Sequence, residues 1–246
     1  MPRLDAASVN SPLSIGPTLG ANVMVYSVSA ERPTSTVTIR AGQTVLFTGS
    51  NDASGCRVTL PPALYEIVQH ACGFRQTFGR LAPHCAEFAG KSVLDVGGGT
   101  GLWSRVLPPT ARYTCLDYDL TRLTRARSIT PRLIRADAAN MPFGAQAMDA
   151  ALCIAVAHHL PDSGFERLLS EIARVVRRRL IFLEPLPPGK SLAGRILWRL
   201  DEGNYFRSKD TLLSALSTSF LVDQTEVFSV FHTYLLCVAS PLPKHV

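Results

Sequence analysis

Val93-Leu94-Asp95-Val96 is an apolar run broken by one acid, and it stops abruptly at Gly97-Gly98-Gly99-Thr100-Gly101. Strand residues apolar on both faces belong in a sheet covered on both sides. Four glycines in five positions open backbone angles and close approaches that side chains forbid. Leu102, Trp103, Val106 and Leu107 then follow at helical spacing. The unit reads as strand, glycine turn, helix, an arrangement that lays a nucleotide-like ligand across strand ends. Spacing narrows the ligand. A dinucleotide fingerprint, Gly-x-Gly-x-x-Gly, would place its third glycine where Leu102 stands, and the absence of a following Gly-Lys-Ser/Thr excludes a P-loop. The pattern is instead Asp-x-Gly-x-Gly-x-Gly from Asp95 to Gly101.

Downstream, β-rich runs alternate with helical stretches. The strand candidates are 92–96, 112–116, 132–135, 150–156 and 180–183, and such alternation predicts a parallel sheet between helices. Leu221–Phe228 and His232–Ser240 read as a closing antiparallel hairpin. Upstream, Pro61-Pro62 starts a helical apolar pattern over 62–89 that includes Leu64, Ile67, Val68, Phe74, Phe78 and Leu81. Residues 1–60 differ: they are rich in Ser, Thr, Pro and Asn, and alternating runs at 35–40 and 44–47 flank Ala41-Gly42. We read an N-terminal β-hairpin and helix cap, with 1–60 a cap or pairing segment and 61–246 one Rossmann-like, doubly wound, mostly parallel α/β domain.

Composition removes several classes of function. Of 246 residues, 46% are hydrophobic and 18% charged, which suits a globular core rather than disorder. Asp149, His158 and Asp162 bound the most apolar run, so no stretch reaches the roughly 20 apolar residues of a membrane span. The N-terminus lacks a basic start and apolar stretch, so a cytoplasmic location is expected. The six cysteines form no Cys-x-x-Cys pair and read as small core residues; no metal set is predicted. A net charge of +6 and pI near 9.2 raise the question of nucleic acid. The pattern argues against it. Arg174, Arg177, Arg178 and Arg179 suit a helix C-terminus, and Arg122, Arg125 and Arg127 a solvated helix face.

The second strand ends at Asp117, 22 positions after Asp95, where a carboxylate can hold a ribose diol. Asp117 or Asp119 could alternatively cap the helix starting near Leu120. The third strand runs into Arg135-Ala136-Asp137-Ala138-Ala139-Asn140-Met141-Pro142-Phe143. Here the sequence resembles the class I S-adenosylmethionine-dependent methyltransferases, in particular the small-molecule "type 11"-like subgroup similar to ubiquinone and menaquinone biosynthesis methyltransferases. The resemblance is good over 91–185 and looser beyond. It implies S-adenosylmethionine as cofactor and a sheet whose last strand is reversed. By the same resemblance, Gly97, Gly99, Thr100 and Gly101 lie against methionine and ribose. Asp117 binds the ribose hydroxyls, Tyr118 sits beside the adenine, Asp137 holds the adenine amino group, the Ala138 backbone touches the ring, and Asp95 reaches the methionine ammonium through water.

Methyl transfer is an in-line displacement at a methyl activated by positive sulfur, so the protein aligns the reactants and, for some acceptors, removes a proton. The fourth strand leads into Ala157-His158-His159-Leu160-Pro161-Asp162. It lacks the Asn/Asp-Pro-Pro-Tyr/Phe of amino-methylating DNA enzymes, the Pro-Cys of cytosine-carbon enzymes, and the two glutamates of protein arginine methyltransferases. A small-molecule acceptor, methylated at O, N or C, is favoured. His158 or His159 could be a general base or a packing and helix-start feature. Glu184, ending the fifth strand, could orient the acceptor or hold a turn. Tyr205 and Arg207 are the acceptor-contact candidates, and Ser208 is the expected cap of a helix from Lys209. The Pro-Gly-Gly turn usual before the fifth strand is missing, since Val175-Val176-Arg177-Arg178-Arg179 runs straight into Leu180. Two other readings stay open: the same fold using the cofactor for cyclisation or decarboxylation, and an RNA-modifying methyltransferase. A homodimer is compatible with all of them.

Overall fold

Every β-rich run from 92 onward joins one sheet. The computed structural model describes residues 24–25, 36–41, 44–52, 55–56, 74–130, 132–187, 204–230 and 233–243. Its strands are β1 (Met24–Val25), β2 (Thr36–Ala41), β3 (Thr44–Asp52), β4 (Gly55–Cys56), β5 (Ser92–Val96), β6 (Arg112–Asp117), β7 (Leu133–Arg135), β8 (Met148–Ile154), β9 (Val176–Pro185), β10 (Phe220–Ser229) and β11 (Thr233–Pro241). The large sheet has the order β1-β7-β6-β5-β8-β9-β11-β10. Pairing is parallel from β7 through β9, and antiparallel at β9–β11 and β11–β10. This is the doubly wound sheet with a reversed hairpin at its end.

Period-2 alternation sorts side chains between two cores. Leu94, Val96, Ala151, Cys153, Leu180 and Phe182 face one layer, with Phe165, Leu168, Leu169 and Ile172 of α3 (Asp162–Val175) and Leu212 and Leu216 of α4 (Lys209–Ser217). Val93, Leu152, Ile154, Ile181 and Leu183 face the other, with Leu81 and Cys85 of α1 (Phe74–Cys85). Each buried Leu or Ile here contributes about 2 kcal/mol relative to exposure. The strands are apolar on both faces because both faces are covered.

Local capping follows the sequence closely. Asp119, not Asp117, caps α2 (Leu120–Ala126), accepting from the amides of Thr121 and Arg122. Ser208 caps α4 through the Thr211 amide. The N-terminal hairpin forms between β2 and β3 as an antiparallel pair, extended by β4 into a separate small sheet. A two-residue piece, β1, pairs with β7 at the edge of the large sheet.

Four expectations need correction. The helix of 62–89 is described only as α1, followed by a 3₁₀ turn at Ala86–Phe88; its proposed start at Pro61-Pro62 lies outside the described residues. After the glycine turn comes only a 3₁₀ segment, Leu102–Val106; Pro108-Pro109 follows, and the residue before a proline is pushed to extended backbone. The fourth strand stops at Ile154, because Ala155 takes a left-handed φ of 56°. Finally, β9 starts at Val176, so Arg177, Arg178 and Arg179 lie on a strand rather than a helix end. Arg177 donates to the Gln146 carbonyl, and Arg179 bonds Glu87 and Asp223. Only Arg174 sits in the last turn of α3, where it bonds Glu171 and the carbonyls of Met141 and Phe143.

Candidate active site

The parallel register places Asp95 opposite Cys115 and Leu152, so the carboxyl ends of β5, β6 and β8 open together at the glycine turn. Gly97, Gly99 and Gly101 have φ of 67°, 56° and 77°, a region L side chains rarely enter. Gly98 is required for a different reason: a Cβ there would lie 2.7 Å from the Asp95 carboxyl and 2.8 Å from the Cys115 sulfur. At Gly97 a Cβ would strike Val156, 2.6 Å from its Cγ2, whereas at Gly99 nothing comes nearer than 3.9 Å. The backbone is therefore packed tightly from below at 97 and 98 and has room at 99. Room of that kind suits a ligand lying across the turn.

Asp117 ends β6 and closes on this turn. Its Oδ2 accepts from the Gly99 amide at 2.8 Å, and its Oδ1 from the Asp119 amide at 2.8 Å. Burial pushes its pKa up, while the two amides and Arg122 pull against that rise. A carboxylate has about four acceptor positions, so both oxygens retain lone pairs for a vicinal diol. Tyr118 beside it is 53% exposed, with its carbonyl bonded by Arg135 and the guanidinium 5.8 Å from its ring. Asp137 holds its own turn, accepting from the Ala139 amide through Oδ1. Ala138 packs partly against the core, and Thr100 is half-buried within the turn. The residues predicted to contact a cofactor thus lie at or just past the carboxyl ends of the neighbouring strands β5, β6 and β7, and their donors and acceptors suit a nucleoside with an amino-acid arm.

Asp95 is 1% exposed. The Tyr113 hydroxyl donates to its Oδ2 at 2.6 Å. Burial, partly offset by that bond and reinforced by the Asp117 charge, raises its pKa to about 7. Sequence reasoning missed Tyr113, although a tyrosine within a buried strand signals a hydroxyl in need of a partner.

A second cluster is built on Glu184, one residue before the end of β9. Its Oε2 accepts from the amides of Val156 at 3.2 Å and Ala157 at 3.1 Å, and its Oε1 from the His158 amide at 2.8 Å. The same Oε1 contacts the imidazole Nδ1 of His158. Of the two roles open to Glu184, the geometry matches turn-holding. His158 is 2% exposed and stacks on Phe206, with ring centroids 5.0 Å apart, while its carbonyl accepts from the amides of Asn204 and Tyr205. His159 is exposed, its ring 4.2 Å from that of His158.

Arg207 departs most from expectation. All five guanidinium N–H donors are engaged: Nε and Nη2 with Asp162, Nη1 with the carbonyls of Ala157 and Tyr205, and Nη2 also with that of Leu160. Its guanidinium also lies 4.6 Å over the Phe165 ring. The side chain clamps the 204–208 segment to the 157–162 turn and has no donor left for an acceptor. Tyr205 is exposed beside this clamp. No cluster of three metal-ligating side chains occurs among the described residues.

Comparison with known proteins agrees with this geometry. The family described as Methyltransferase domain matches residues 93–179. Phthiotriol/phenolphthiotriol dimycocerosates methyltransferase 1 of Mycobacterium ulcerans (strain Agy99) is 38% identical over 108 residues, covering 41% of this chain and 38% of that one. The chain therefore spans less than half the length of this curated relative. Among solved structures, magnesium protoporphyrin IX methyltransferase from Synechocystis PCC 6803 with bound SAH gives a TM-score of 0.57 at 20% identity, over 71% of this chain and 87% of that one. The [4+2]-cyclase SpnF gives 0.52 at 18% identity, over 66% and 80%. At such identities the likeness concerns the fold. Residues 93–179 thus match the methyltransferase-domain family, and the sheet around them has the fold of solved S-adenosylmethionine-dependent methyltransferases.

Proposed function

We propose that the chain transfers the methyl group of S-adenosylmethionine to a small-molecule metabolite, at an oxygen, nitrogen or carbon acceptor, by in-line displacement. One observation carries the reading: a buried acid at the carboxyl end of β6, Asp117, bonded across to a glycine turn that has room above Gly99. When bound, S-adenosylmethionine supplies a methyl on positively charged sulfur, so no covalent enzyme intermediate is needed.

The chain's own work is binding and alignment. Asp117 would hold the ribose hydroxyls, with Gly97, Gly99, Thr100 and Gly101 giving close backbone approach. Tyr118, Asp137 and Ala138 would line the adenine end, and Asp95 would meet the ammonium through water. His158 and Glu184 would position the 156–158 turn facing the acceptor. The exposed His159 would be the group that takes a proton from acceptors that need it, with Tyr205 an acceptor contact. The relatives' names, methyltransferases of phthiotriol and phenolphthiotriol dimycocerosates, support a metabolite rather than a nucleic-acid acceptor. A cytoplasmic location and a homodimer complete the proposal, checked by fractionation and light scattering.

Calorimetric titration with S-adenosylmethionine and S-adenosylhomocysteine tests the site. Micromolar binding by the wild type, lost in Asp117→Ala, supports it; no binding by the wild type sinks it. A second reading, cyclisation or decarboxylation on the same fold, is favoured by the likeness to a cyclase. Release of S-adenosylhomocysteine with acceptor separates the two, since only methyl transfer produces it.

A further inference from the structure

We infer that Tyr113 is a positioning residue for cofactor binding: its hydroxyl holds the buried Asp95 carboxylate beneath the glycine turn in the charged form that, through water, attracts the ligand's ammonium group. This rests on the cofactor reading above and goes beyond it, because it makes donor affinity depend on proton occupancy at one concealed acid.

The geometry has three parts. Asp95 points to the α1 side of the sheet and is almost wholly enclosed. Gly98 sits directly over it, so near that a single methyl would collide with the carboxyl. Tyr113 reaches the same carboxyl oxygen at 2.6 Å while its hydroxyl lies 3.5 Å from the Cβ position of Gly101. The tyrosine hydroxyl therefore holds the acid and lies close below the far end of the turn.

No cation is paired with Asp95 among the described residues. The groups on its side of the sheet are Tyr113, Cys115 and Asp117 on β6 and Cys85 on α1, while Cys153 on β8 lies in the opposite layer but still feels its charge. The three thiols stay protonated at neutral pH, because burial pushes Cys85 to about 12 and raises Cys115 and Cys153 well above their usual range. Asp117 contributes a like charge, which disfavours ionisation. The Tyr113 hydroxyl is thus the neutral donor that favours the carboxylate against burial and repulsion. Binding an ammonium requires the ionised form, so affinity must weaken as Asp95 takes up its proton.

The experiment is calorimetric titration of wild type and Tyr113→Phe between pH 5.5 and 9 with two ligands. S-adenosylhomocysteine carries the amino-acid arm; 5′-methylthioadenosine lacks it. For the wild type, S-adenosylhomocysteine affinity should rise about tenfold per pH unit up to a bend near neutrality and then level, while 5′-methylthioadenosine stays flat. In Tyr113→Phe the bend should move to higher pH, giving several-fold weaker binding at pH 7 and a smaller deficit at pH 8, below the range where the ligand's own ammonium loses its proton. An unmoved bend with uniform loss in the variant would overturn the inference. So would a wild-type profile that is flat or the same for both ligands, a result that needs no variant. If neither nucleoside binds wild type at any pH, the cofactor reading itself falls, and the inference with it.

Discussion

Glu184 bonds the backbone amide of His158 at 2.8 Å and meets the same residue's imidazole, so one buried carboxylate fixes both the main chain and the side chain of the residue opposite the glycine turn. Glu184→Gln keeps the volume but replaces one acceptor oxygen with a donor facing amides that already donate. Leaving buried donors unmet costs about 1–3 kcal/mol each. The variant should lose several degrees of Tm in a thermal melt, with cofactor affinity changing less than stability. A Tm within a degree of wild type would show that the nest is dispensable.

Asp117→Ala should leave the sheet intact and abolish nucleoside binding. Two charge-assisted hydrogen bonds to a diol are together worth about 3 kcal/mol or more, a loss of at least about hundredfold in affinity. Circular dichroism checks the fold and calorimetry the Kd. The loss of the acceptor for the Gly99 and Asp119 amides costs stability, offset in part by the removal of an acid whose ionisation burial opposes, so Tm should fall modestly while binding is abolished.

Gly97→Ala meets two penalties. The φ of 67° costs an L residue about 1 kcal/mol, and the new methyl runs into Val156. We expect a loss of about 2–4 kcal/mol by urea unfolding. Adding Val156→Ala should return the steric share and leave the backbone share. A double-mutant cycle with no coupling would contradict the close packing of β5 and β8 at their ends.

The pH dependence of stability has a definite sign at Asp95. Its carboxyl has a pKa of about 7 in the folded protein against 3.8 ordinarily. Below about pH 4 both folded and unfolded chains hold the proton. Between about 4 and 7 the unfolded chain releases it while the folded chain keeps it, so folding stability falls as pH rises through this window and levels above 7. The span corresponds to about 4 kcal/mol at most. Asp95→Asn should flatten this slope and be more stable than wild type at pH 8 in denaturant melts, while binding S-adenosylhomocysteine poorly.

Much of the donor side was legible because it is local. From Asp95 to Asp137 each predicted residue lies at a strand end or in the turn after it, and strand ends follow from period-2 apolar runs and glycine punctuation. Capping by Asp119 and Ser208 was legible for the same reason. What escaped depends on contacts remote in sequence. Arg207 looked available on an irregular stretch, and only its folding back onto residues 157–162 consumes its donors. The left-handed Ala155 carries no sequence signal, since alanine does not favour that angle. Its angle is fixed from outside, by the bond from its amide to Leu183 and by the amides of Val156 and Ala157 bound to Glu184. The arginines after α3 misled because a basic run at a helix end and one on a strand look alike until the strand's start is known.

The Arg207 clamp is built from residues 157–162 and 205–207, whereas the proposed nucleoside site draws on the separate stretch 95–138. The two clusters are consequently under different kinds of inheritance. The segment that Arg207 ties down can change an outward-facing residue such as Tyr205 without altering the stretch from Asp95 to Ala138, provided the clasp to the 157–162 turn survives. A lineage of such chains could exchange one acceptor for another while keeping its donor, and the first residues to become immovable would be Asp162 and Arg207, neither of which needs to touch a substrate.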